Sequence, residues 1–512
     1  MEPVVVIGAG PVGLTAALLL SRWGLPVLVL ERHRERVPIG SRSICQQRDV
    51  LDIWSAVGAG AIAEEGLAWT TARTYHRERE MFSWEFAGAR TLPACVNISQ
   101  SRTERILADL VARDPRIETR RGHEVTGIEQ DPEGVTLTCA TGEKVRAPYV
   151  VACSGGRSDA LRADLGIGFP GESFADRFLI VDLRADVPGW ERERRFHFDP
   201  PWNPGRQVLI HPCPDSSYRI DWQVEPGFSL DAERESGGLD RRIRQVVGDR
   251  PYEILWASVY GFQSRVADRM RAGRVFLAGD SAHLYAPFGA RGLNSGVPDA
   301  ENAAWKIAMV ARGAAPEALL ETYHDERHAA ALENLHVTAA TMRFLVPHDD
   351  RERARRLTAL ENATDPSGID SGRFAEPFWY TASPLTTPEP TRPPTGRPPR
   401  GALQPPAPGV IVPDAPIAAR GATRLRQLLR DGFAFIGDGP APAARVPLTV
   451  LRPSELDPSG ELAATLGIRA GEAWVVRPDA HLAAILPDPE PETVTAAVHT
   501  ALGVIGTEKP MG

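Results

Sequence analysis

Residues 4–13 read VVVIGAGPVG. Four apolar residues make a short buried strand, and Gly8, Gly10 and Gly13 follow in G-x-G-x-x-G spacing around Pro11 and Val12. TAALLLSRWG (15–24) then has the length and composition of a helix closed by a glycine, and LPVLVL (25–30) reads as a second strand delivering Glu31 and Arg32. Strand, glycine turn, helix, strand and acid together describe a βαβ nucleotide-binding unit. The first glycine permits the tight turn and the second lets a pyrophosphate approach the backbone. The third lets helix and strand pack closely, and the helix N-terminus attracts phosphate charge. Glu31 stands where an acid accepts hydrogen bonds from a ribose diol, which disfavours a 2′-phosphate. The nucleotide is NAD or the ADP half of FAD.

A second stretch, VFLAGDSAHLYAPFGARGLNSG (275–296), separates the two. An apolar strand presents Gly279 and Asp280 at its end, and Gly289, Gly292 and Gly296 follow among Pro287, Arg291 and Asn294. PDAENAAWKIAMVARG (298–313) reads as a helix with Asp299 in its first turn. An acid at a strand end suits the hydroxyls of a sugar-alcohol chain. A glycine-rich turn entering a helix offers N–H groups to an electron-rich heterocycle edge. FAD has both features and NAD has neither.

These motifs, with SRSICQQR (41–48) and SGGRS (154–158) between them, resemble the flavin-dependent aromatic hydroxylases, single-component FAD monooxygenases of the p-hydroxybenzoate hydroxylase fold. The wording is most similar to the 3-(3-hydroxyphenyl)propionate hydroxylase and phenol hydroxylase branch, over about residues 3–385. The resemblance implies an α/β chain: a discontinuous Rossmann-like FAD domain (1–175 and 262–385), an inserted antiparallel substrate sheet (176–261), a proline-rich linker (386–416) and a thioredoxin-like domain (417–512). It implies NADPH or NADH and O2 as co-substrates, and hydroxylation of a phenolic ring through a flavin C4a-hydroperoxide. The other chemistries open to such a chain are Baeyer–Villiger oxidation or epoxidation of a polyketide-like substrate, or flavin binding without turnover.

Roles carry over residue by residue. Gly8, Gly10, Pro11, Val12 and Gly13 would line the pyrophosphate, with Glu31 and Arg32 at the adenosine ribose. Arg42 would meet the nucleotide side, Gln100 would lie near the ribityl chain, and Asp280 would bind its hydroxyls. Backbone groups of Gly292, Leu293 and Asn294 would face the flavin edge, and Pro287 would place a carbonyl near the substrate. Ser154 stands where the family usually has an aspartate. His283 is expected to pack and bond locally.

Residues 178–260 alternate apolar and polar positions with turn breaks, the signature of an antiparallel sheet. Period-2 parity puts Arg219, Asp221 and Gln223 on one face and Trp222 on the other. Parity does not say which face looks at the cofactor. Arg219, Gln223, Trp222 and Phe288 are the pocket candidates, and Asp221 or His211 the acceptor of a phenol proton.

Composition sets the frame. The net charge of -8 gives no reason to expect nucleic acid or an anionic membrane as partner. The five cysteines are scattered, with no C-x-x-C pair, which argues against a disulfide framework or a zinc site and fits a reducing cytoplasm. No apolar run reaches bilayer length, and no signal peptide is evident. His324 and His328 stand at i, i+4 on a helix but lack a third ligand, so an exposed face is expected. Residues 417–512 hold no cysteine, leaving packing or homodimerisation as their role.

Overall fold

The computed structural model describes residues 1–36, 43–86, 91–347, 349–361, 369, 376–397, 404–439, 446–457 and 459–504. Arg42 lies outside the described residues.

The nucleotide unit folds as its local sequence dictates. Val4–Ile7 is wholly buried and pairs in parallel with Val27–Glu31 on one side and Val150–Ala152 on the other. Val275–Leu277 extends the sheet beyond Val150–Ala152, and Ile117–Arg121 closes the opposite edge. The inner strands are buried on both faces, which is why Val4–Ile7 and Val27–Leu30 read as unbroken Val/Leu/Ile runs, whereas the edge strand Ile117–Arg121 is largely polar. The helix Pro11–Arg22 packs on the sheet through a face of Leu and Ala. Pro11 at its first position costs no hydrogen bond, because that N–H has no acceptor within a helix.

The second sheet has eight strands, in the order His283–Leu284, Tyr252–Val266, Gly171–Ala185, Ser217–Val224, Gln207–Cys213, Glu193–Phe198, Thr71–His76, Arg79–Glu85. Two expectations are corrected here. The sheet does not stop at the 176–261 boundaries, since Thr71–Glu85 supplies two strands and Gly171 and Val266 are strand ends. Nor is it purely antiparallel, because Thr71–His76 pairs in parallel with Glu193–Phe198. Both pairings are non-local, so alternation within a segment could not reveal them.

One face of this sheet, with Ile220, Trp222 and Val224, packs against Leu239, Ile243 and Val247 of the helix Gly238–Val247. That packing settles the parity question. Trp222 is fully buried in this apolar layer, and Arg219 and Asp221 face the other way, toward the nucleotide unit.

On the same strand as the buried Phe196 and Phe198, His197 stacks on Tyr75 at 4.6 Å. Burial lowers its pKa to about 4. The folded state therefore keeps it neutral while the unfolded chain protonates near pH ~6.5. Stability present above that pH is lost as pH falls through about 4. His197→Gln should flatten the fall of Tm over this acidic window; an unchanged slope would contradict the assignment.

Residues 386–397 and 404–416 of the proline-rich linker include hydrogen-bonded contacts to the C-terminal unit. Gly409 donates its N–H to Leu482 O (2.7 Å), Leu482 to Val410 O (2.9 Å) and Thr387 to Ala483 O (2.8 Å). Ala407, Val410 and Val412 are buried in this segment. That unit is a four-stranded sheet, Leu448–Leu451, Phe433–Ile436, Glu472–Val476, Leu482–Pro487, with the first pair parallel and the others antiparallel, followed by the helix Pro491–Ala501.

Candidate active site

A cavity of about 690 Å³ runs from the glycine turn, past Asp280, to the sheet face carrying His211, Arg219 and Asp221. At one end lie Gly8–Val12 and Glu31–His33. The three glycines do different work. A Cβ on Gly13 would sit 1.9 Å from Gly8 O, so only glycine lets the helix approach the turn. A Cβ on Gly8 would sit 2.5 Å from Cys153 O, at a φ of +102°. A Cβ on Gly10 meets nothing within 4 Å, so its missing side chain leaves room in the cavity itself. Glu31 accepts from Ala9 N (2.7 Å) and His33 N (2.9 Å), which fixes its carboxylate beside the turn. Those two bonds leave lone pairs for a diol. Arg32 lines the same end.

Gln100 is the first residue of the helix Gln100–Arg113, capped by Ser99. It accepts from Ser43 N (3.0 Å) and donates to Glu104 (2.8 Å), at the cavity wall. Asp280 is exposed to the cavity from the short turn Gly279–Ser281. Behind it Asp299 accepts from Gly279 N (3.0 Å) and contacts His283 Nε2 (2.7 Å) and Arg327 Nε (2.7 Å). Burial works to raise the Asp299 carboxyl, and Arg327 and His283 outweigh it and hold the group below its usual range. His283 is fully buried and outside the cavity lining, a support for the turn rather than a reacting group.

The helix after this turn is Arg291–Ala311, not a helix beginning at Pro298. Pro298 lies inside it, and Ala290, at φ +55°, starts it. The shift matters, because the first-turn N–H groups, which have no acceptor inside a helix, now sit at Arg291–Leu293 on the cavity wall. Gly292 has open space where a Cβ would be. Asn294 is the next residue along. Its side-chain amide accepts from Gln47 N (2.9 Å) and donates to Cys45 O (2.8 Å), which clamps the helix to the strand Cys45–Gln47.

At the sheet end, His211 and Arg219 are cross-strand partners, as are Arg219 and Asp182. Arg219 grips Asp182 through two bonds of 2.8 and 2.9 Å. Burial pushes the Asp182 carboxyl up, with Arg219 opposing. His211 Nε2 is 3.6 Å from Asp221 Oδ2. Burial lowers the His211 pKa, Asp221 opposes, and Arg194 and Arg219 reinforce it. Asp221 Oδ1 is buried with no hydrogen-bond partner among the described residues. Phe178, Ile180, Leu209, Phe262 and Phe288 complete an apolar wall beside Pro287. Pro287 O already accepts from Ala290 N (3.0 Å).

Two pocket candidates sit elsewhere. Trp222 faces the opposite layer, and Gln223 turns to Asp176 (2.9 Å) and Gln207 N (3.4 Å). Arg194 was missed, although the alternation Arg194, Phe196, Phe198 already puts it on the inward face of its strand. Ser158 was missed as well. With Ser154 (2.8 Å) and Ser281 (3.1 Å) it forms a hydroxyl cluster where an aspartate was expected. His324 accepts from Met270 N (3.3 Å), and no metal-binding cluster occurs among the described residues.

Residues 1–338 match the family described as "FAD binding domain". The chain belongs to the FAD-dependent monooxygenase family. It is 33% identical over 373 residues to the rifampicin monooxygenase of Streptomyces venezuelae, covering 70% of this chain and 75% of that one. It is 31% identical to the 3-(3-hydroxy-phenyl)propionate/3-hydroxycinnamic acid hydroxylase of Paraburkholderia xenovorans, covering 67% of this chain and 56% of that longer relative. The fold matches the flavin-dependent monooxygenase PieE, solved with FAD and substrate, at a TM-score of 0.84 with 24% identity over 98% of this chain and 99% of that one. It also matches aklavinone-11 hydroxylase, solved with FAD and aklavinone, at 0.75 with 22% identity and the same coverage. The cavity of this FAD-dependent monooxygenase presents an open position at Gly10, a fixed acid at Glu31 and a helix N-terminus at Arg291–Leu293. No helix among the described residues is long and apolar enough to cross a membrane.

Proposed function

We propose that the enzyme hydroxylates a phenolic or other electron-rich aromatic ring held against the Arg219/Asp221 face of the mixed sheet, in the cytoplasm. One observation carries the reading: a single cavity joins the nucleotide cradle to a half-buried His–Asp pair walled by apolar side chains. Gly8–Gly13 and Glu31 would hold the ADP half of FAD, Asp280 the ribityl hydroxyls, and the N–H groups of Gly292 and Leu293 the flavin edge. Bound FAD supplies reduction by NAD(P)H and activation of O2 for transfer of one oxygen atom.

The chain's own residues do the rest. His211, kept neutral by burial, accepts the phenolic proton, and Asp221 beside it stabilises the imidazolium that results. Loss of that proton makes the ring electron-rich. Phe178, Phe262 and Phe288 exclude water from the ring. The positive end of the helix Arg291–Ala311 favours negative charge developing at the cofactor edge.

Residues 417–512 are read as a thioredoxin-like domain. Their strand order supports this, and the absence of cysteine from their sequence leaves packing or dimerisation as their role. Arg424 and Arg430 bind Asp52 of the nucleotide unit at 2.8 and 2.9 Å, which favours a role inside the chain over homodimerisation.

A panel of phenols scored by NAD(P)H consumption tests the function. The expected result is stimulation by a productive phenol and a product heavier by one oxygen with the ring intact. A ring-expanded product, or stimulation only by non-aromatic ketones, would contradict it.

A further inference from the structure

The buried residues between the C-terminal unit and the nucleotide unit form a connected chain that the reaction itself does not use. Arg477, fully buried in the C-terminal unit, binds both oxygens of Glu326 at 2.5 and 2.9 Å. Glu326 also accepts from Lys306 (2.7 Å), Asn302 (2.8 Å) and Ser383 (2.6 Å). Burial lowers the Lys306 pKa to about 8, against the pull of Glu326. The next residue on the same helix, Arg327, receives Tyr380: its Nη1 donates to the phenol oxygen at 3.0 Å. Tyr380 is itself held by the C-terminal side, through its N–H to Gly409 O (2.8 Å), its ring on His481 (4.4 Å) and the Arg477 guanidinium over its face (4.7 Å). From Arg327 the chain continues inward, to Asp299 (2.7 Å) and to Ser295 O (3.2 Å) in the first turns of the cradle helix. Asp299 then fixes Gly279 N beside Asp280.

Arg477, Glu326, Lys306, Asn302, Arg327, Tyr380, Asp299 and Ser295 are all buried, so the bonds among them are made in a low-dielectric interior where an unmade partner is expensive. Arg327 has three acceptors, one on each thing it joins: Tyr380, Asp299 and Ser295. Removing the Tyr380 hydroxyl leaves one N–H of a buried guanidinium without that acceptor, and the guanidinium re-aims at the expense of the other two. Both of those hold elements of the FAD cradle.

We propose that the C-terminal unit sets how tightly FAD is retained, with Tyr380 and Arg327 as positioning residues for the Asp280 turn and the start of the Arg291–Ala311 helix. The proposal rests on Asp280 lying at the cofactor. Neither residue lines the main cavity, so the effect passes through Asp299 and Ser295.

The test uses the full-length holoenzyme and three variants. Tyr380→Phe keeps the ring and removes only the hydroxyl. Arg424→Met breaks a different buried bond between the same two units, to Asp52, and leaves the bonds of Arg327 to Asp299 and Ser295 in place. Asp280→Ala probes the cofactor contact directly. FAD dissociation constants come from flavin fluorescence, and the environment of the flavin from its visible circular dichroism. Tyr380→Phe should weaken FAD binding about tenfold, an ordinary size for coupling between two sites, and should alter the dichroism of the remaining bound flavin. Arg424→Met should lower Tm while leaving both readouts as in the parent. If Tyr380→Phe leaves affinity and dichroism unchanged while Asp280→Ala loses FAD, the coupling is wrong and the cofactor site stands. If Asp280→Ala retains FAD, the site reading fails, and the coupling with it. If Arg424→Met weakens FAD as much as Tyr380→Phe, the effect is general loosening and the named path is overturned.

Discussion

Gly10→Ala should give a folded protein that does not retain FAD. Residue 10 has φ −75° and ψ 178°, which alanine adopts without strain. A Cβ there meets no protein atom within 4 Å, so apo stability should match the parent. The methyl group points instead into the space where the backbone must approach a diphosphate. Losing that approach and its N–H contacts should weaken FAD by about 100-fold, equivalent to roughly 3 kcal/mol. Gly13→Ala makes the contrast. Its Cβ would fall 1.9 Å from Gly8 O, so helix and turn must separate and the apo fold should lose stability too. Tm of the apo proteins and FAD affinity separate the two cases. A Gly10→Ala protein that binds FAD like the parent would show that the diphosphate lies elsewhere.

The second large effect belongs to the His–Asp pair. Asp221→Asn removes the charge 3.6 Å from His211 and leaves the apolar wall in place. Without it the imidazole becomes a weaker base, since Asp221 is what opposes the lowering of its pKa by burial. Turnover of a phenol should fall by about 100-fold, the low end of general-base effects, with FAD content unchanged. His211→Gln should behave alike, and a more acidic phenol, already ionised in solution, should recover much of the lost rate. If Asp221→Asn turns over as fast as the parent, proton removal is carried by another group.

The parts of this molecule legible in the sequence are those set locally. The turn at Gly8–Gly13 with Glu31 is largely local, since Gly13 answers to Gly8 O and Glu31 to Ala9 N, and its long-range demand is the approach of Cys153 O to Gly8. The Asp280 turn is equally local. The helix after it was misplaced because Pro298 looks like a first-turn proline, whereas tertiary contacts from Asn294 to the strand Cys45–Gln47 start the helix at Arg291.

The substrate face was ambiguous for a different reason. Alternation gives two faces, and only the helix Gly238–Val247 packing on Trp222 decides which of them is covered. Gln223 shares the right face with Asp221 but lies too far along the strand, where Asp176 takes its amide. Proline content marks the linker but not its partner; the bonds of Gly409 and Val410 to Leu482 tie it to the C-terminal sheet.

The central claim is that this cavity holds one FAD between the Gly8–Gly13 turn and the start of the Arg291–Ala311 helix. Flavin stoichiometry on the purified chain tests it most directly. One FAD per chain, released on denaturation and recovered by adding FAD to the apo protein, is the predicted result. A colourless protein that takes up no FAD on reconstitution would contradict the account.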